Sequence, residues 1–362
     1  MKILLVRLRL LGDVVFTTPL LRALRRRYPD AHLTYVVEPA AEPVIRANPH
    51  VNRVMVAPRR RGIGRLRDDV ALARSLRHER FDIAIDLHGG PRGAWLTWAS
   101  RAPMRIGYTT TGRSWMYTHP IARPADLSGQ HSVLKQWELL GPLGVGVCDP
   151  VRDAVEMPED ADAAARIGEM LRREGAGDDE PIIVLHVSAG NPFRRWPLES
   201  FAALVSQLAA RDPRRFFVLT SGPSDADAAR RLSDRIRVIS PARMTQGSFG
   251  VHELRALAAR ATVYIGGDSG PMHIAATTGT PIVGLFGPTL AERSMPWRSP
   301  VCFAEAVDAG PLPCRPCRQR RCEPGDFRCL TGITPDRVAA AAERALAAAA
   351  ARRFDQPEAR HA

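Results

Sequence analysis

A chain of 362 residues is long enough for two domains of ordinary size, each with its own core, and its 45% hydrophobic and 25% charged content is that of a globular protein. No run approaches 18 uninterrupted apolar residues, so no transmembrane helix is expected. The apolar start is too short for a signal peptide and is interrupted by Arg7 and Arg9, which points to a cytoplasmic protein.

The net charge of +13 admits nucleic acid, an anionic membrane surface or anionic substrates as partners. Nearly all of it is arginine, with Lys only at positions 2 and 135, so part of the excess reads as codon usage rather than as a binding signal.

Residues 2–6 read as a buried first strand. Leu8-Arg9-Leu10-Leu11-Gly12-Asp13 is a turn, and residues 14–27 are a helix. Gly12 lets the backbone approach a ligand, and Asp13 sits where an N-cap belongs. Pro19 either kinks this helix or follows its first turn. Strands are expected at 33–37 and 53–57, with a helix at 40–47 between them. Arg59-Arg60-Arg61-Gly62-Ile63-Gly64-Arg65 reads as a basic loop before a helix over 67–79. A strand at 81–87 ends in the loop His88-Gly89-Gly90-Pro91-Arg92, and a short helix leads to a further strand around Arg105-Ile106-Gly107-Tyr108. This alternation implies a parallel sheet with helices on both faces.

Residues 109–130 are polar and irregular, 131–141 are helical, and 149–160 form an acidic linker. After a helix over 160–174 the alternation restarts. Strands are expected at 182–186, 216–220 and 236–239, with helices at 197–210, 226–232 and 251–260 and a polar loop at 188–195. Val263-Tyr264-Ile265-Gly266-Gly267-Asp268-Ser269-Gly270-Pro271-Met272-His273 then reads as a buried strand, a tight turn and a helix start. Asp268 or Ser269 can cap that helix, and Pro271 suits its first turn. Unpaired N–H groups at such a start favour an anion. Two readings stand together: a phosphate-bearing ligand docks here, or Asp268 is only a cap. Ile282-Val283-Gly284-Leu285-Phe286-Gly287-Pro288-Thr289, a Cys-rich loop at 310–330 and an Ala-rich helix over 335–352 complete the chain. The expected organisation is α/β: two doubly wound domains, 1–160 and 161–345, then a disordered tail at 346–362. Ligands should sit beyond the carboxyl ends of the strands.

Several motifs together resemble one family. Val6-Arg7-Leu8-Arg9-Leu10-Leu11-Gly12-Asp13-Val14 resembles the opening of glycosyltransferase family 9, the ADP-heptose:lipopolysaccharide heptosyltransferases. Ser188-Ala189-Gly190-Asn191-Pro192-Phe193-Arg194-Arg195-Trp196-Pro197 resembles that family's nucleotide-side loop. Gly267-Asp268-Ser269-Gly270-Pro271-Met272-His273, followed by Gly284-Leu285-Phe286-Gly287-Pro288-Thr289, resembles its donor signature. The resemblance implies the GT-B fold, two Rossmann-like domains facing a central cleft, with the acceptor bound by the first and the nucleotide sugar by the second. It implies inverting transfer of heptose from ADP-heptose to the inner core of lipopolysaccharide. The family's catalytic base falls on Asp13. Its diphosphate-contacting Lys falls on Arg194, which replaces a compact ammonium by a planar fork. Its donor motif falls on Asp268, Ser269, Gly270 and His273, with Ser188 and Asp225 as further donor contacts. The acceptor, lipid A-core, implies work at the inner face of the inner membrane. Gly12, Arg59, Arg60, Arg61 and Arg92 are its candidate contacts, because arginines can clamp the phosphates of such an acceptor.

A carboxylate that takes the acceptor hydroxyl's proton accelerates transfer by about 10²–10⁴-fold. Asp13 is that candidate; its competing reading is a structural cap. No metal-binding carboxylate pair accompanies the donor motifs, so no cofactor is expected, and Arg194 with the 268–273 helix start would meet the leaving charge. His88 and His131 are left with structural roles. Cys314, Cys317, Cys322 and Cys329 are spaced compactly enough for a structural Zn²⁺, but not in a common zinc pattern, and free or redox-labile thiols are the favoured reading. An NAD(P)-dependent oxidoreductase would carry Gly-x-Gly-x-x-Gly after the first strand, which Leu8-Arg9-Leu10-Leu11-Gly12 lacks. No nucleic-acid motif accompanies the dispersed arginines, so no specific nucleic-acid partner is expected. Another nucleotide sugar, used for a surface polysaccharide, stays open as the donor.

Overall fold

A computed structural model of the chain describes residues 1–60, 62–123 and 129–355. The chain divides into two compact units, the first Met1–Pro158 and the second beginning at Glu159.

The first unit holds a six-stranded sheet of β1 (Lys2–Val6), β2 (His32–Val37), β3 (Arg53–Val56), β4 (Ile83–Asp86), β5 (Met104–Tyr108) and β6 (His119–Ile121). Their spatial order is β3-β2-β1-β4-β5-β6, and every neighbouring pair is parallel. The central strands are continuous apolar runs because both faces are covered. Leu4, Val6, Val36 and Ala84 share one core with Leu76 and Leu96 from the covering helices. Each fully buried leucine there contributes about 1.5–3 kcal/mol.

The second unit repeats the plan. Its strands are β7 (Ile182–His186), β8 (Phe216–Thr220), β9 (Arg243–Gly247), β10 (Val263–Gly267), β11 (Ile282–Phe286) and β12 (Ala304–Asp308), in the order β12-β11-β10-β7-β8-β9, again parallel throughout. Ile183, Leu185, Phe217 and Val263 anchor its core. The fold is thus α/β, two doubly wound Rossmann-like units of the GT-B class. In each sheet the chain direction of winding reverses beside the first strand, between β1 and β4 and between β7 and β10. Open α/β sheets bind ligands beyond the carboxyl ends of the strands at that reversal.

Several elements differ from the sequence expectation for local reasons. The helix expected over 14–27 is two helices, Leu11–Val15 and Thr18–Arg27, and Pro19 lies in the first turn of the second. The helix expected from 67 begins at Gly62 and runs to His78. Gly64 and Arg65 are therefore helical, and Gly62 opens the helix with φ 61°, a left-handed backbone that glycine adopts without a Cβ clash. Residues 236–239 are not a strand but the end of helix Ala226–Ile239. Ala229, Leu232 and Ile236 form its buried stripe at helical spacing, while Val238 and Ile239 face solvent. The strand is instead Arg243–Gly247, a polar run at the sheet edge that carries little hydrophobic signal. The Ala-rich helix runs from Pro335 to Asp355, through ten positions read as tail, and buries Ala345 and Ala349. Residues 356–362 lie outside the described residues. Among the described residues no helix is long and apolar enough to cross a membrane.

Candidate active site

In the first unit the constellation grows from the end of β1. Arg7 follows the last apolar residue of that strand and is buried. Its Nη1 donates to the Leu87 carbonyl at 2.7 Å, and its Nη2 lies 2.8 Å from Asp13 Oδ2. Asp13 is the third residue of helix Leu11–Val15, not its N-cap, which is Leu10. The carboxylate reaches back to accept the Leu10 N–H at 3.2 Å. Burial pushes the Asp13 pKa up, but the Arg7 charge and the Leu10 N–H outweigh it and hold the value below the usual carboxylate range. The side chain is 34% exposed, so this anion can meet a ligand. Gly12 beside it is buried.

The end of β4 supplies the neighbouring groups. Asp86 is fully buried and accepts the N–H of His88 at 2.9 Å, the N–H of Gly89 at 3.0 Å and the Tyr117 hydroxyl at 2.7 Å. Burial pushes this carboxyl up. It anchors the loop that carries His88. The His88 imidazole is pushed down to about 4, first by burial and then by the Arg7 charge, while Asp13 pulls the other way. His88 is therefore a neutral imidazole at pH 7, within the field of the Asp13 carboxylate.

The arginines read as acceptor contacts separate into two kinds. Arg92 is only 9% exposed and is held by Asp69, Glu38 and the Pro58 carbonyl, which engage four of its five N–H donors. The structure gives it the work of tying helix Gly62–His78 to the segments that follow β2 and β3. Arg59 and Arg60 are 68% and 71% exposed and make only long pairs with Glu38 and Asp68. Arg61 lies outside the described residues.

In the second unit β7 and β10 present the other constellation. Arg194 donates Nε to Gln319 Oε1 at 2.7 Å and Nη1 to the Asp268 carbonyl and Oδ2 at 3.1 and 3.2 Å. Its Nη2 has no protein partner among the described residues. Asp268 is not a cap: Ser269 is the N-cap of helix Gly270–Ala275, and the Asp268 carboxylate faces Arg194 and, at 3.5 Å, His273 Nε2. Burial would raise the Asp268 pKa, but the hydrogen bond from His273 and the Arg194 charge more than offset it. Ser269 Oγ donates to the Gly267 carbonyl. Gly267 itself admits no side chain, because a Cβ there would lie 2.9 Å from the Arg194 carbonyl oxygen.

Ser188 and Asp225 belong to the flank of the same loop. Ser188 Oγ accepts the Gly222 N–H at 2.9 Å and contacts His186 Nε2 at 3.2 Å. Burial pushes His186 down to about 4. Asp225 is buried and pairs with Arg195 at 3.0 Å, and Arg195 Nε also donates to the Ala189 carbonyl. Asp225 thus shapes the loop at 188–195 through Arg195.

The sequence reading passed over Arg7, Asp86, Arg195 and Gln319. Arg7 and Asp86 had a signal, a charge at the end of an otherwise buried apolar strand; Gln319 had none. The six cysteines are free thiols. Burial and the nearby thiols of Cys317, Cys314 and Cys322 push Cys329 up. Among the described residues no group of three or more His, Cys, Asp or Glu is placed to hold a metal ion. An open cavity lined by Asp178, Glu180, Arg255, Arg260 and Arg352 lies by the amino ends of β7 and β11 and shares none of the site residues.

The family model for glycosyltransferase family 9 (heptosyltransferase) matches residues 70–326. The chain belongs to glycosyltransferase family 9. This member is 27% identical over 318 residues to lipopolysaccharide heptosyltransferase 3 of Escherichia coli, covering 86% of this chain and 91% of that one. It superimposes on the glycosyl transferase family 9 protein from Veillonella parvula with a TM-score of 0.84 at 24% identity, over 96% and 97% of the two chains. Against the E. coli ADP-heptose lps heptosyltransferase II the TM-score is 0.74 at 22% identity, over 96% and 99%. These two likenesses carry the fold, and the family match makes the chain a glycosyltransferase.

Proposed function

We propose that this family 9 member moves heptose from ADP-heptose to the inner core of lipopolysaccharide, inverting the anomeric carbon. One observation carries the reading: Arg194 is held along two edges of its guanidinium and still presents Nη2, at the strand ends where a doubly wound sheet takes its ligand. A planar, partly held fork suits a diphosphate. The name of the related E. coli heptosyltransferase II supplies the donor, and the name of the E. coli relative supplies the acceptor class.

In this reading Asp13 is the general base. It is anionic at neutral pH and partly exposed, so it can accept the acceptor hydroxyl's proton as that oxygen bonds to the anomeric carbon. The bond from that carbon to the diphosphate breaks, and ADP leaves with the electron pair. Arg194 and the segment 268–273 meet the charge on the departing diphosphate, with no cofactor invoked. Ser188 and Asp225 shape the donor loop. Gly12, Arg59, Arg60 and Arg61 contact the phosphorylated acceptor; Arg92 supports them from below through Glu38, which both Arg59 and Arg92 face. The acceptor domain is 1–160 and the donor domain 161–345. The enzyme works in the cytoplasm, peripheral to the inner face of the inner membrane.

The test is ADP release from ADP-heptose in the presence of truncated lipopolysaccharide. Release that requires both substrates supports the reading. Absence of release with every core acceptor, alongside release from another nucleotide sugar, overturns the donor.

A further inference from the structure

We propose that the Cys-rich segment is a strap over the donor loop and that Gln319 is the positioning residue for Arg194; the assignment rests on the donor reading above. Three observations converge on it. First, Gln319 Oε1 accepts two hydrogen bonds from the loop, Arg194 Nε at 2.7 Å and Asn191 Nδ2 at 2.9 Å. A single oxygen thus fixes both the arginine and the residue that caps the loop's short helical turn. Second, the segment is tied down on either side of Gln319. Arg315, whose side chain is buried, donates Nη2 to the Thr289 carbonyl at 2.8 Å and Nη1 to Asp308 at 2.7 Å. The Cys317 N–H donates to the Pro288 carbonyl at 3.3 Å. Phe327 packs on Phe193 of the loop, with ring centroids 5.4 Å apart.

Third, the backbone is in a costly conformation where the contacts are made. Gln319 has φ 55° and Phe327 φ 51°, two of the four non-glycine residues with positive φ among those described. Side chains other than glycine resist that region, and such residues persist where surrounding contacts over-determine them. Both residues touch the donor loop.

The chemical consequence is preorganisation. With Nε held by Gln319 and Nη1 by Asp268, the guanidinium plane is fixed before a ligand arrives. Without Gln319 the Arg194 side chain must be ordered on binding. Ordering one long side chain weakens affinity by roughly 3–10-fold.

The test uses the full chain and isothermal titration with ADP and with AMP, on wild type, Gln319→Ala, Arg194→Ala and the double variant. Gln319→Ala should weaken ADP binding by about 3–10-fold and AMP binding less, because Arg194 acts on the diphosphate. In the Arg194→Ala background, Gln319→Ala should add nothing, since its partner is gone. A merely structural role would weaken both nucleotides equally and give additive losses, which would overturn the assignment. Wild-type binding of ADP with an unchanged Gln319→Ala overturns the strap alone. Failure of the wild-type chain to bind ADP overturns the donor reading and this assignment with it.

Discussion

Asp13→Asn separates chemistry from architecture in the first unit. Asparagine keeps a carbonyl oxygen that can accept the Leu10 N–H, so the start of helix Leu11–Val15 retains its local bond. What disappears is the negative charge 2.8 Å from Arg7 Nη2. Arg7 is buried and keeps its bond to the Leu87 carbonyl, so the substitution leaves one charged donor under-satisfied. That costs about 1–2 kcal/mol at a site open to solvent on the carboxylate side. With Asp13 as the proposed base, the catalytic loss is larger. Removing a general base lowers the rate by roughly 10²–10⁴-fold, equivalent to about 3–5 kcal/mol in the barrier. Three measurements on the same protein resolve the two effects. Urea denaturation should show the small stability loss with an unchanged slope. ADP titration should give wild-type affinity, because the residues proposed to hold the donor lie in the second unit. The kcat/KM for ADP release should fall by at least two orders of magnitude. Wild-type kcat/KM in a folded Asp13→Asn protein refutes the assignment and leaves Asp13 as a partner for Arg7.

Other outcomes follow from the same geometry. Arg92→Ala strands the buried carboxylates of Glu38 and Asp69 and should destabilise by about 3–5 kcal/mol, whereas Arg59→Ala should change stability by no more than about 0.5 kcal/mol; urea midpoints compare them. Gly267→Ala places a methyl 2.9 Å from the Arg194 carbonyl and should displace the donor loop, costing about 1–3 kcal/mol and weakening ADP binding, with retained affinity refuting the close approach. The His88 imidazole should titrate by NMR near 4, and Asp13→Asn should lower it further, because the lost negative charge had favoured the imidazolium. Asp13 is depressed in the folded state, so its stabilising share is present above its unfolded pKa and is lost as pH falls through the folded value. Acid titration should therefore show a loss of stability below about pH 4 that is smaller in Asp13→Asn.

Much of the architecture could be read in advance because it rests on local patterns. Runs such as Ile3 to Val6 and Ile182 to Leu185 are apolar throughout, and only a strand covered on both faces needs that. The edge strand Arg243–Gly247 escaped because an edge needs no such run, and the apolar pair Val238 and Ile239, which suggested a strand, proved to be exposed residues at a helix end. The pairing of Asp268 with His273 was legible because both stand in one short motif at a helix start. The site was not legible where it depends on contacts distant in sequence. Gln319 lies 125 positions from Arg194, and Asp69 lies 23 from Arg92. Nothing in the residues around either arginine distinguishes a held side chain from a free one.

Position 194 also bears on which substitutions the proposed donor site can tolerate. A guanidinium spreads its five N–H groups over three nitrogens, so one edge can be given to Gln319, one to Asp268, and a third kept for a ligand. An ammonium has a single nitrogen, and whatever steadies it competes with the ligand for the same atom. Arg194 and Gln319 therefore constrain each other: with arginine in place, a strap residue can grip the side chain without occupying its business end. Replacing Arg194 by lysine would keep the charge and lose that separation of roles.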